Sequence, residues 1–220
     1  MFGSRENELL RKALALYAGD HVLKHVLQNG ERALQIEAKT LDLTAMFVDI
    51  VASFSEIRAD LTPDDLQRFM TSWLETVTSS ILGHGGTLDV YVGDAVSAWW
   101  GANGEKDHAR TAVSCAKDLV ARIEKLNATS QGNGLPQLRL GVGIASGPIR
   151  LGAYGSSKRL RYSMLGDTVN LASRLCGLSS EHAVLIAEST QRRLGDCTSV
   201  TRVDIVRIKG IDEPVQLFTV

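Results

Sequence analysis

Cysteine is scarce in this chain, and the few present do not pair off. Cys115, Cys176 and Cys197 are three in number and widely spaced. They make neither a disulfide framework nor a metal-ligand pattern, so reduced thiols in a cytoplasm are the simplest reading. There is no basic tract and the net charge is −1, which argues against a surface built to track nucleic-acid phosphates. No apolar run approaches the roughly 18 residues that cross a bilayer. Residues 1–20 mix charges into their apolar positions instead of forming a signal-peptide core. The expectation is a soluble, cytoplasmic protein with neither nucleic acid nor membrane as partner. A Walker A lysine motif is also missing, which removes P-loop chemistry. GVGIASG (141–147) carries glycines spaced in part like a dinucleotide fingerprint, but Pro148 stands where the helix of that motif would begin. Internal repeats and low-complexity segments are absent.

What is present is a globular composition. At 220 residues, 44% apolar and 22% charged, the chain is long enough for one well-cored domain with a short added segment. Leu9, Leu10, Ala13, Leu14 and Tyr17 recur at helical spacing, Val22 to Leu27 continue or follow that helix, and Asn29-Gly30 ends it. A strand is expected from about Leu43 to Ile50. Thr62-Pro63-Asp64-Asp65 opens a helix that runs to about Leu82. Thr87–Val92 and Ala95–Trp100, separated only by Gly93-Asp94, read as a tight hairpin. A helix from about Lys106 to Leu126 follows, then strands at Gln137–Ile144 and Pro148–Ala153. A helix capped by Asp167 or Thr168 reaches about Gly177, and strands at Ala183–Ala187, Thr201–Lys209 and Val215–Val220 close the chain. The order predicts an α+β fold: a ferredoxin-like βαββαβ core whose mainly antiparallel sheet is covered by helices, with extra C-terminal strands. Residues 1–39 read as a helical lead-in to the α+β unit that follows.

The acidic residues at strand ends carry the chemistry. Asp49 ends its strand and is followed by the small residues Ala52 and Ser53, which would let backbone N–H groups approach a phosphate. Asp94 sits in the hairpin turn. If the two strands are neighbours, both carboxylates meet at one end and can hold Mg²⁺ or Mn²⁺ through oxygen, substrate phosphates completing the shell. Each also has a plain structural role open to it, Asp94 satisfying its turn and Asp49 capping a loop. Asn170 and Arg174 are four apart on the last long helix and share a face. That pair suits a ribose and a phosphoryl group gaining charge, although a solvated helix face explains it too. His84 reads as a turn residue and His108 as part of a solvated helix face. Alternation places Trp99 and Trp100 on opposite faces of the sheet, in packing roles.

MFVDIVAS, GGTLDVYVGDAVSAWWG, LRLGVGIASGPIRLGAYGS and YSMLGDTVNLASRL, in this order, resemble the catalytic domain of class III nucleotide cyclases over roughly residues 40–220. The resemblance implies a nucleotidyl cyclase that makes a 3′,5′-cyclic nucleotide and pyrophosphate. It implies two divalent metals, Mn²⁺ or Mg²⁺, at Asp49 and Asp94 with the Ile50 carbonyl as a further ligand. Asn170 would orient the ribose, Arg174 would stabilise the transition state and Lys209 would grip the β- and γ-phosphates. It also implies a head-to-tail homodimer, because in the family the metal aspartates and the Asn/Arg pair come from different subunits.

The sequence departs from the family at the base. Adenylate cyclases usually place a lysine three residues before the hairpin glycine and Asp or Thr at a companion position; guanylate cyclases use Glu and Cys. Here these positions hold Val90, which cannot hydrogen-bond to a base, and Ser163, which donates or accepts. Ala52 stands where glycine is usual, and Phe54 where a small hydroxyl residue is common; Phe54 would narrow the site or be buried in the core. Short cyclases without sensor modules and with altered base readers resemble the pyrimidine cyclases of bacterial anti-phage signalling. The leading expectation is therefore cyclic UMP or cyclic CMP as an antiviral messenger sensed by a separate effector protein. An adenylate cyclase is the alternative, and an inactive nucleotide-binding pseudo-cyclase a third. The Gly-Gly-acidic-acidic-Phe hairpin of diguanylate cyclases is absent, Gly93-Asp94-Ala95-Val96 standing in its place.

Overall fold

Thr62 starts its helix as the sequence dictates. Its hydroxyl accepts the Asp65 N–H at 3.2 Å, Pro63 fills the first position, and Asp64 and Asp65 face the positive end of the helix. The structure, a computed structural model, describes residues 3–51, 61–130, 138–179, 183–195, 199–207 and 214–220. Helices α1 (Ser4–Ala18) and α2 (Asp20–Asn29) and a 3₁₀ turn (Gly30–Leu34) lead into β1 (Ala38–Ile50). Then come α3 (Pro63–Gly83), β2 (Thr87–Val92), β3 (Ala95–Trp100), α4 (His108–Ser130) and β4 (Leu140–Ser156). β5 (Arg159–Leu165), α5 (Asp167–Leu178), β6 (Val184–Ala187), α6 (Glu188–Leu194), β7 (Thr201–Val206) and β8 (Val215–Thr219) complete the order.

The sheet runs β2-β3-β1-β4-β6-β8-β7, with β5 paired to the far half of β4. Among the described residues, only β4 and β6 pair in parallel. The first six elements of the catalytic unit, β1-α3-β2-β3-α4-β4, are the expected βαββαβ, with β3 inserted between β1 and β2.

Both faces of the sheet are covered, so β1 is buried continuously from Leu43 to Met46 instead of alternating. Met46, Val48, Val96, Ala98 and Trp100 pack beneath α3 and α4, against Trp73, Val77, Ile81, Ala112 and Leu119. Leu43, Ala45, Trp99 and Ala145 pack on the other face with Val169, Ala172 and Leu175 of α5. Trp99 and Trp100 thus lie on opposite faces, as alternation predicts.

Several expectations need correction. Gln137–Ile144 and Pro148–Ala153 are not two strands: β4 continues through Pro148, which stands opposite Asp42. Proline lacks only the N–H, and its carbonyl is taken by Thr168 Oγ1 at 3.0 Å. This half of β4 pairs with β1 on one side and on the other with β5, whose charged residues hide its alternation. The helix after it is capped by Gly166, not by Asp167 or Thr168. His108 is not on a solvated face. It is 7% exposed and bonded through Nδ1 to Thr44 Oγ1 at 2.7 Å, at the head of a buried chain through Ser146 and Thr190. His84 does close a helix: its carbonyl accepts Trp100 Nε1 at 2.9 Å.

Candidate active site

Asp49 is the penultimate residue of β1, and the register Val48↔Val96 sets it beside the start of β3. Immediately before β3 is the Gly93-Asp94 turn, closed by the Val92↔Ala95 pair. Gly93 takes φ +65°, which a side chain would resist. The Trp73 indole N–H donates to the Asp94 carbonyl at 2.8 Å and pins the turn to α3. The two carboxylates therefore meet at one end of the sheet, within hydrogen-bonding reach of each other. Burial, and next the charge of Asp94, push the Asp49 carboxyl up to about 6. The Ile50 N–H, donating to Asp49 Oδ1 at 3.0 Å, opposes that rise.

Two carboxylates this close repel unless a proton or a cation lies between them. The donor set is all oxygen, and Ile50, the last residue of β1, adjoins it, so the residues fit a hard divalent cation.

Helix α5 lies close by. Gly143 of β4 has no room for a Cβ, which would run into the backbone of Ala172, Leu175 and Cys176, so the helix rests directly on the strand. Cys176 Sγ donates to the Gly141 carbonyl at 3.3 Å. Its thiol is pushed up to about 12 by burial, with the charges of Asp49 and Asp94 adding to the effect. Val169, Ala172, Leu175 and Cys176 make the buried face of α5. Asn170 is exposed and Arg174 half-exposed. Among the described residues no ion pair joins Arg174 to either carboxylate. Asp49 and Asp94 are brought together, Asn170 and Arg174 lie one helical turn apart on α5, and among the described residues no ion pair joins the two pairs within one chain.

At the two positions expected from the resemblance to face the base, Val90 is half-buried on β2 and Ser163 is buried on β5. Sequence reasoning passed over the residue between them. Ser163 Oγ donates to Asp89 Oδ1 at 2.8 Å, Ser97 Oγ donates to Oδ2 at 3.2 Å, and Arg161 lies 3.6 Å from Oδ2. Burial raises the Asp89 carboxyl above its ordinary range despite these three partners. Ala52, Ser53, Phe54 and Lys209 lie outside the described residues.

The model of the adenylate and guanylate cyclase catalytic domain matches residues 36–220. The chain belongs to this family. Class III cyclase domains use divalent metals, act on nucleoside triphosphates and generally dimerise. Adenylate cyclase 1 of Rhizobium meliloti is 28% identical over 162 residues, which is 72% of this chain and 24% of that protein. The adenylate cyclase of Anabaena cylindrica is 31% identical over 166 residues, 73% of this chain and 33% of that protein. The chain thus spans a quarter to a third of the length of these relatives. The crystal structure of the adenylyl cyclase CyaB from P. aeruginosa superposes with a TM-score of 0.78 at 30% identity, covering 84% of this chain and 95% of that one. Among the described residues no helix is long and apolar enough to cross a membrane.

Proposed function

We propose that the protein is a two-metal nucleotide cyclase working as a head-to-tail homodimer with two equivalent sites. The observation that carries this reading is the meeting of Asp49 and Asp94 at one end of the sheet. With the Ile50 carbonyl they would hold Mg²⁺ or Mn²⁺, which when bound supplies positive charge to the triphosphate and the ribose hydroxyl. Asn170 orients the ribose. The Arg174 guanidinium stabilises charge growing on the α-phosphoryl group, and Lys209 takes the β- and γ-phosphates. The ribose O3′–Pα bond forms, the hydroxyl proton departs, and the bond from Pα to pyrophosphate breaks. The exposure of Asn170 on the outer side of α5 supports the dimer, since that side is open to a second copy.

For the base, the apolar Val90 supports a pyrimidine, giving cyclic UMP or cyclic CMP for a separate effector protein. Cyclic AMP is the second reading, favoured by the adenylate cyclases among the relatives. Mass spectrometry of products from ATP, GTP, CTP and UTP, each offered separately with Mn²⁺, decides among them. A cyclic pyrimidine nucleotide is expected from the intact protein and none from Asp94→Ala. Cyclic AMP as the main product selects the second reading. No cyclic product from any nucleotide overturns the enzyme assignment in favour of a nucleotide-binding pseudo-cyclase.

A further inference from the structure

Strand β2 does not keep strict alternation where it passes the base-reading position. Leu88 pairs with Ala98 and Val90 with Ser97, so Asp89 is an extra residue bulged into the strand. The bulge lets Asp89 reach the same face as Ser97 and Trp99, and its side chain is only 6% exposed there. An ionised carboxylate has about four acceptor sites. Ser163, Ser97 and Arg161 account for three partners, which leaves one site.

The same region holds a second unfilled acceptor. His21 of α2 stacks edge-on against Trp99, centroids 5.0 Å apart, and lies 5.8 Å from the Tyr162 ring. It makes a backbone hydrogen bond to Tyr162 and feels the charge of Asp89. Its Nε2 is buried and has no hydrogen-bond partner among the described residues. In the tautomer that carries its proton on Nδ1, Nε2 is an acceptor.

We infer that Asp89, with His21 Nε2, selects the base by accepting the two hydrogens of an exocyclic amino group. Among pyrimidines this favours cytosine over uracil: N4 of cytosine offers both hydrogens, whereas O4 of uracil would face two acceptors. A site built to bond an N–H rejects the analogue lacking it, because its own buried groups are then left unpaired. The inference rests on the cyclase reading and names the edge of the base that its site takes. It also brings a residue of the N-terminal lead-in into the substrate site.

The test compares kcat/KM for CTP and UTP in the full chain, in Asp89→Asn and in His21→Phe, with Mn²⁺. The expected result is a preference for CTP of about tenfold or more that falls toward unity in both variants. Asparagine keeps the size of Asp89 and can still bond to both serines; if that variant does not fold, His21→Phe decides by the same ratio. UTP used as well as CTP by the unaltered protein overturns the inference, as does an unchanged ratio in folded Asp89→Asn. Failure of the cyclase reading shows itself differently, as no cyclic product from ATP, GTP, CTP or UTP, whereas cyclic AMP as the sole product overturns the preference for cytosine. Calorimetry with Ca²⁺ then compares the dissociation constants of CTP and UTP: tighter CTP binding that depends on Asp89 supports the inference, and equal binding overturns it.

Discussion

Asp49 is held in a place that does not suit a lone carboxylate. Its folded-state value of about 6 stands above the ordinary 3.8, so the metal-free folded state binds the proton more tightly than the unfolded chain. Stability contributed by the protonated group is full below pH 4 and is lost as the pH rises through 6. Asp49→Asn should therefore stabilise the metal-free protein by about 1 kcal/mol at pH 7.5, after allowance for its half-exposure. Near pH 4.5 the gain should be small. Melting temperatures in chelator at both values test this, and an equal difference at both would contradict it. Mn²⁺ should raise the melting temperature of the unaltered protein more than that of the variant, because the cation replaces the proton between the carboxylates. At this scale the placement of Asp49, Asp94, Asn170 and Arg174 was legible because a strand end, a two-residue turn and a helical spacing of four are local patterns. Asp89 was not legible. Strict alternation separates it from Val90, and only the pairing of β2 with β3 reveals the bulge.

Helix α5 carries the proposed ribose and transition-state residues, and its height above β4 is set by the bare backbone of Gly143. Gly143→Ala should push the helix outward, costing about 1–3 kcal/mol by overpacking. The displacement should also lower kcat by about tenfold or more, since catalytic groups act only when held in place. Urea unfolding and steady-state kinetics on the folded variant check the two effects; a normal kcat would show that α5 does not position Asn170 and Arg174. The helix was expected in the right place although its cap is Gly166 and not Asp167 or Thr168, and the hairpin was readable from Gly93-Asp94. The misread elements are those where tertiary pairing overrides local signals. Pro148 looks like a strand break, yet the residue after it, Ile149, pairs with Leu41 and is fully buried. β5 mixes Arg159 and Arg161 into its strand and is held by its register with β4, not by its own pattern. Helix α6, at 7 residues, is too short for helical periodicity to show.

Within one copy of the chain no ion pair joins Arg174 to Asp49 or Asp94 among the described residues, and in the proposed dimer each site takes the two pairs from different copies. The N-terminal helices add an unbalanced surface. α1 buries none of its residues, while Leu9, Leu10, Leu16 and Tyr17 stand exposed, and α2 rests on Trp99 and Tyr162 through His21 and His25. The sequence showed the helical pattern of this lead-in but not where α2 docks, because contacts this distant along the chain leave no local trace. The measurement that tests the central claim most directly mixes two inactive variants, Asp49→Ala and Arg174→Ala, under conditions that exchange subunits. If each site takes its carboxylates from one copy and its Asn/Arg pair from the other, half of the dimers are mixed and each regains one of its two sites. About a quarter of the unaltered activity should return. A mixture that forms mixed dimers yet stays as inactive as its parts would contradict a site shared between two copies.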